Sequence, residues 1–153
     1  MVEEVGEYSS NKEIRCSGAM ICSKKTKRVI LLQKANGKHN GFWGLVGGTN
    51  IGVETVWQGL CREIEEEVGF LPEFLKIIPL EKFVSNDHLF HFNTFFCIVE
   101  EEFIPSLSKE HKAWGWFNLK SLPKPIHKAL DLSLRNKFLE NKISTIIELI
   151  EIM

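Results

Sequence analysis

The chain predicts an α+β fold, a sandwich of mixed strands and helices. Short apolar runs rich in β-branched and aromatic residues recur along most of it. One amphipathic helical stretch lies near the middle and a second, longer one closes the sequence. The two kinds of segment do not alternate as simple βαβ units, which argues against a doubly wound parallel sheet. At 153 residues, the chain suits one domain, residues 1–153, with one continuous core.

The elements follow in order. The first dozen residues are acidic and polar, and read as a flexible or edge extension rather than a signal peptide. Ile14 to Ser23 predicts a strand in which Gly18 and Ala19 leave room for close packing. Lys24 to Lys27 predicts a turn, and Arg28 to Gln33, RVILLQ, a buried strand. Lys34 to Asn40 is a polar loop with a glycine turn signal. Phe42 to Val46 predicts a short strand leading into Gly47-Gly48. A helix follows over about Glu54 to Val68. Its residues Val56, Leu60, Ile64 and Val68 recur every four positions, and Trp57 and Cys61 widen the stripe. Ile77 to Val84 and Leu89 to Val99 predict two strands joined by a turn at Ser85 to His88. Phe90, Phe92, Phe95 and Phe96 on the second are expected to form an aromatic core. Glu100 to Lys112 is a polar connection, and Ala113 to Phe117 a further strand closed off by Leu122-Pro123-Lys124-Pro125. From about Asp131 the chain predicts a helix, with Leu132, Leu134, Phe138, Leu139, Ile143, Ile146, Ile147 and Ile150 as one broad apolar stripe.

Composition excludes several functional classes. The chain is 44% hydrophobic and 25% charged, with a formal net charge of −1, so nothing global favours nucleic acid or a membrane surface. Lys24, Lys25, Lys27 and Arg28 form a local basic patch that reads as a solvated turn. No run of about 18 apolar residues could span a bilayer. The cysteines Cys16, Cys22, Cys61 and Cys97 form no C-x-x-C pair, which argues against a structural zinc site. They read as small buried thiols in a reducing, cytoplasmic setting.

The chemistry concentrates in Gly48 to Phe70, GTNIGVETVWQGLCREIEEEVGF. On a helix, positions i, i+3 and i+4 share a face, so Glu63, Glu66 and Glu67 project together. Carboxylates this close repel one another unless an oxygen-seeking divalent cation such as Mg²⁺ or Mn²⁺ neutralises them. Arg62 stands inside the cluster to hold a carboxylate. Glu65 lies roughly 200° round the helix from Glu63 and is expected to be a solvated surface residue. Gly47-Gly48 precedes the helix where backbone could approach a ligand closely, and Gly69 is a C-terminal cap candidate followed by Pro72.

This segment resembles the signature G-x5-E-x7-R-E-U-x-E-E-x-G-U of the Nudix hydrolase family (MutT-like), U being a bulky apolar residue filled here by Ile64 and Phe70. The flanking RVILLQ and GFWGLVGG also resemble the strand, loop and strand that precede this box. The resemblance implies the Nudix fold, an α-β-α sandwich with a central mixed sheet. It implies hydrolysis of a phosphoric anhydride bond in a nucleoside diphosphate linked to another moiety, X, with Mg²⁺ or Mn²⁺ as cofactor. Glu63, Glu66, Glu67 and the Gly47 carbonyl correspond to metal ligands, Glu63 to a general base in some members, and Arg62 with Glu54 to the support of those carboxylates.

The family often adds one acidic group from outside the box. Glu110 is the candidate, because Glu110-His111-x-Ala113-x-x-Trp116 resembles the E-H-x-A-Y-x-W segment of Nudix diadenosine tetraphosphate hydrolases, with Trp114 in place of the tyrosine. Glu100, Glu101 and Glu102 are rivals. His111 reads as a surface or core histidine or a proton shuttle, and His127 as a ligand contact or a structural residue. Trp43, Trp114, Trp116 and the phenylalanines read as core residues or as stacking surfaces for a base. The Ala-x-x-Trp segment favours a nucleotide sugar or dinucleoside polyphosphate. The alternatives are RNA 5′-end or nucleoside triphosphate pyrophosphohydrolysis, a non-hydrolytic nucleotide sensor, which would normally have lost box carboxylates, and an isoprenoid diphosphate isomerase, for which the matching Cys and His pattern is missing. The partner implied is a nucleotide-derived small molecule. No membrane or extended nucleic-acid surface is expected, and a homodimer is compatible with the sequence.

Overall fold

β1 (Ile14–Ser23) is the strand around which the sheet is built. The structure, a computed structural model, describes residues 13–153. The extension expected over the first dozen residues lies outside the described residues. β1 pairs in parallel with β6 (Phe90–Val99) along its whole length, Ile14 opposite Phe90 and Ser23 opposite Val99. β6 pairs antiparallel with β5 (Lys76–Val84). On its other edge β1 meets β2 (Val29–Lys34) only at Cys22 and Val29. Nearer its start it pairs instead with β4 (Val46–Thr49), from Cys16 opposite Thr49 to Ala19 opposite Val46. β3 (Trp43–Gly44) and β7 (His111–Phe117) both add to β2. The seven strands make one mixed sheet.

Alternation along β1 sends its side chains to two separate cores. Ala19 and Ile21 join Leu60, Ile64 and Val68 of α1 (Val56–Val68), together with Val46 and Trp116. Met20 and Cys22 face the opposite way. They join Phe96, Ile98 and, from the C-terminal helices α2 (Lys128–Arg135) and α3 (Lys137–Leu149), Leu130, Leu139, Ile143 and Ile146. Ile150, in the 3₁₀ turn after α3, is fully buried in the same core. Leu60, Ile64 and Val68 have no exposed surface, so each holds α1 to the sheet by about 1.5–3 kcal/mol. Helices on both faces of a mixed sheet are the sandwich expected from the sequence.

Four details depart from expectation. The single strand over Phe42 to Val46 is two strands, because the chain leaves β2 at Gly44 and crosses to β1 at Val46. Gly47-Gly48 consequently lies within β4, not at the helix entrance. The C-terminal helix begins at Lys128, and Asn136 divides it by ending α2 and capping α3 through its side-chain oxygen and the Leu139 amide. The change of direction leaves Leu132 58% and Phe138 90% exposed, outside the supposed stripe. Phe96 is core, but Phe90 and Phe92 line a cavity. Cys22 and Cys97 are buried, whereas Cys16 and Cys61 are only half-buried; all four are free thiols.

Candidate active site

α1 starts and stops at defined points, and this sets the rotation of its carboxylates. Thr55 and Gln58 form a reciprocal capping box, each side chain accepting the other's backbone amide. Gly69 ends the helix in the left-handed conformation at φ 92°, its N–H donating to Glu65. A side chain there would also collide with Ser106. Ile64 and Leu60 point into the core, so Glu63 and Glu67 flank the buried stripe on the side facing β4.

β4 comes close enough to touch them. The Gly47 amide donates to Glu67 Oε1 at 2.9 Å. A Cβ on Gly48 would lie 2.5 Å from the Glu63 carboxyl carbon, and one on Gly47 only 2.1 Å from the Ser17 carbonyl oxygen. Gly47 therefore requires glycine to lie against β1, whereas a side chain at Gly48 would push the Glu63 carboxylate out of its place.

Arg62 ties loop, strand and helix together. Its guanidinium donates through Nε to Glu54 Oε2 at 2.6 Å and through Nη2 to Glu54 Oε1 at 3.1 Å, a two-pronged pair. The same Nη2 reaches the Thr49 carbonyl at 3.0 Å. Nη1 reaches Glu63 at 3.1 Å and Glu66 at 3.2 Å. Glu54 is held below the usual carboxylate range, first by Arg62 and then by the Ile51 amide that donates to it. Glu66 is the outer member of the group, its side chain 56% exposed. Glu65 is exposed on the far side, as its position on the helix predicts.

The inner carboxylates are electrostatically strained. Glu67 is only 4% exposed. Burial pushes its carboxyl up to about 8, opposed by the Gly47 amide and reinforced by Glu63 and Glu110. Glu63 is also raised, by burial first, against the pull of Arg62. Glu110 comes from the start of β7 and acts on both. A carboxylate oxygen of Glu67, one of Glu110 and a ring nitrogen of His111 all lie within 4.8 Å of one another. His111 is 8% exposed and its Nδ1 has no hydrogen-bond partner. Burial, then Lys34, lowers its basicity, while Glu110 raises it. This donor set, acidic and with Glu67 and His111 buried, fits a divalent cation.

Beside Glu67 opens a cavity of about 550 Å³. Its lining is mainly apolar: Met20 and Leu32 from the sheet, Phe83, Phe90 and Phe92 along one wall, and Leu130 and Leu132 from α2. Lys34 is the cation in that lining, near enough to shift Glu67, His111 and His127. Glu81 is a second polar group, accepting from Ser133 at 2.8 Å.

The other sequence candidates lie elsewhere. Glu101 and Glu102 pair with Lys25 and Arg28 at the β1–β2 turn, and Glu100 follows β6 at the same end of the sheet. His127 lines the cavity but its Nδ1 caps α2, accepting from the Ala129 amide. Trp116 is buried and donates to the Phe103 carbonyl, and Trp43 packs edge-on against Phe117. Lys34 was missed because a lysine at a strand end carries no distinctive spacing, and neither local pattern nor motif shows where it points.

The sequence pattern of the NUDIX domain matches residues 13–137. A stretch of 67 residues is 38% identical to Nudix hydrolase 6 of Arabidopsis thaliana, covering 42% of this chain and 24% of that protein, so the match spans about a quarter of the relative's length. Among solved structures, a MutT NUDIX hydrolase from Burkholderia pseudomallei shares 28% identity, with a TM-score of 0.63 over 81% of this chain and 97% of its own. An Ap4A hydrolase from C. elegans, solved as a binary complex, shares the fold with a TM-score of 0.64 at 22% identity, over 87% of this chain and 98% of its own.

Proposed function

Since the chain belongs to the Nudix family, we propose that it is a Mg²⁺- or Mn²⁺-dependent pyrophosphohydrolase that cleaves a diphosphate linkage in a nucleoside diphosphate derivative. A nucleotide sugar or a dinucleoside polyphosphate is the favoured substrate. The observation that carries the reading is the position of the carboxylate cluster, at one end of a mainly apolar cavity of about 550 Å³. A diphosphate held at the carboxylates, with one of its flanking groups, the nucleoside or X, lying against the apolar lining, fits that division.

Glu63, Glu66, Glu67, Glu110 and the Gly47 carbonyl would hold the cation. When bound, it supplies neutralisation of the diphosphate charge and activation of the attacking water. Glu63 accepts the water's proton at Oε2, the oxygen that Arg62 leaves free. Arg62 positions Glu63 and Glu66 by anchoring them to Glu54 and the Thr49 carbonyl. Lys34 places positive charge where a phosphate would lie beside Glu67, and the phenylalanine wall offers flat apolar surface to a base or to X. With Lys34 as its one lysine or arginine among the described residues, the lining offers little basic surface to a charged RNA strand, which favours the small nucleotide derivative.

The test is product release across nucleotide sugars, dinucleoside polyphosphates, nucleoside triphosphates and triphosphorylated RNA, each with Mg²⁺, with Mn²⁺ and with chelator. Metal-dependent cleavage within a diphosphate or polyphosphate bridge is expected for one of the first two classes. Folded, metal-loaded protein that binds these nucleotides without turnover would overturn the hydrolase reading in favour of a sensor.

A further inference from the structure

Resting on that reading, we propose that His111 is a nitrogen ligand of the same metal site, giving the chain a preference for Mn²⁺, Co²⁺ or Zn²⁺ over Mg²⁺. Three observations converge on this residue. His111 is 8% exposed, which removes most of the water that could satisfy its ring. Among the described residues its Nδ1 meets no partner, and a buried polar atom is rarely left unpaired unless a ligand supplies the contact. A ring nitrogen lies within 4.8 Å of carboxylate oxygens on both Glu67 and Glu110. Donors on opposite sides of one ion, each at about 2.0–2.2 Å, stand roughly 4 Å apart, so modest side-chain rotation brings all three onto a single cation.

The backbone explains how sequence neighbours reach one point. Adjacent residues of a regular strand face opposite ways. The β2–β7 register slips between Gln33 and Lys34, where Lys34 pairs with His111, and such an irregularity re-aims side chains. Glu110 lies in the turn just before β7 and His111 is the strand's first residue, so strand alternation does not force the two to opposite faces. An imidazole in the donor set selects among ions. Mg²⁺ prefers oxygen ligands and keeps its waters. The later divalent metals gain from nitrogen, and their affinities rise from Mn²⁺ towards Cu²⁺.

Pulsed electron paramagnetic resonance on the Mn²⁺-loaded full-length chain reads the contact directly. The wild type should show nitrogen modulation from a coordinated imidazole, and His111→Gln should lose it. In parallel, the variant's Co²⁺ affinity should fall at least about tenfold while its Mg²⁺ affinity stays within about twofold. Mn²⁺ bound to the wild type without nitrogen modulation would overturn the proposal by itself, whether or not the variant folds. Equal losses for Co²⁺ and Mg²⁺ would do the same, marking His111 as structural support. Absence of binding for all three ions would remove this proposal together with the hydrolase reading.

Discussion

Glu67→Gln should make the metal-free protein more stable while destroying its site. In the fold this carboxyl is pushed from the ordinary 4.5 to about 8, chiefly by burial. It therefore binds more protons folded than unfolded across that window, and its contribution to stability falls as pH rises through it. At pH 7 the difference amounts to about 3 kcal/mol, at roughly 1.4 kcal/mol per unit. Glutamine imitates the protonated form: its oxygen can still accept the Gly47 amide, and its NH₂ can face the acidic neighbours Glu63 and Glu110. Thermal melts in chelator should coincide for wild type and variant at about pH 4, below the ordinary carboxyl value. They should then diverge until the variant melts about 6–12 °C higher near neutrality, given ~2–4 °C per kcal/mol in a domain of this size. Adding Mn²⁺ should raise the wild-type melt and close much of that gap, because the cation stabilises the ionised carboxylate, and should move the variant far less. Parallel melting curves for the two proteins across the whole pH range would refute the argument that Glu67 is a buried, strained acid.

Glu66→Gln should lower turnover by about two to four orders of magnitude through lost charge stabilisation, whereas Glu65→Gln, exposed on the other side of the helix, should change it little; kcat for both variants decides this. Arg62→Lys keeps the charge but cannot span Glu54, Glu63 and the Thr49 carbonyl at once, so kcat should fall about 10–100-fold with charge retained. Gly48→Ala places a methyl group 2.5 Å from the Glu63 carboxyl carbon. The expected result is a folded protein by circular dichroism with weakened Mn²⁺ binding by calorimetry.

Much of the site was legible because its spacing is helical. The 3.6-residue repeat alone puts Glu63 and Glu67 on one face and Ile64 on the core-facing one, although it does not show that Glu67 is buried. The helix start fell about two residues early: the sequence puts it at about Glu54, whereas the Thr55–Gln58 capping box sets it at Val56. What escaped were features decided by distant strands. Leu45 looks like the middle of one strand, yet the chain changes partners there, and only the β1 pairing shows it. Asn136 is an ordinary polar residue inside an apolar pattern until its side chain caps a new helix. Phe90 and Phe92 belong to the same run as Phe96, but cavity and core are distinguished by what α2 and α3 cover. The convergence of Glu110 and His111 on Glu67 brings the start of β7 and the turn before it against α1, a tertiary contact no local pattern encodes.

The break at Asn136 divides labour between two neighbouring helices. α3 is riveted to the sheet through Leu139, Ile143 and Ile146, whereas α2 lends Leu130, Leu132 and Ser133 to the cavity wall and leaves Leu132 largely exposed. The carboxylate cluster stands on α1 and in the turn before β7, against β4 and outside this wall. Substitutions on α2 can accordingly reshape the cavity while leaving both those carboxylates and the anchoring helix untouched. On the proposed reading, such a chain can trade one substrate for another over evolutionary time without first losing its fold or its chemistry.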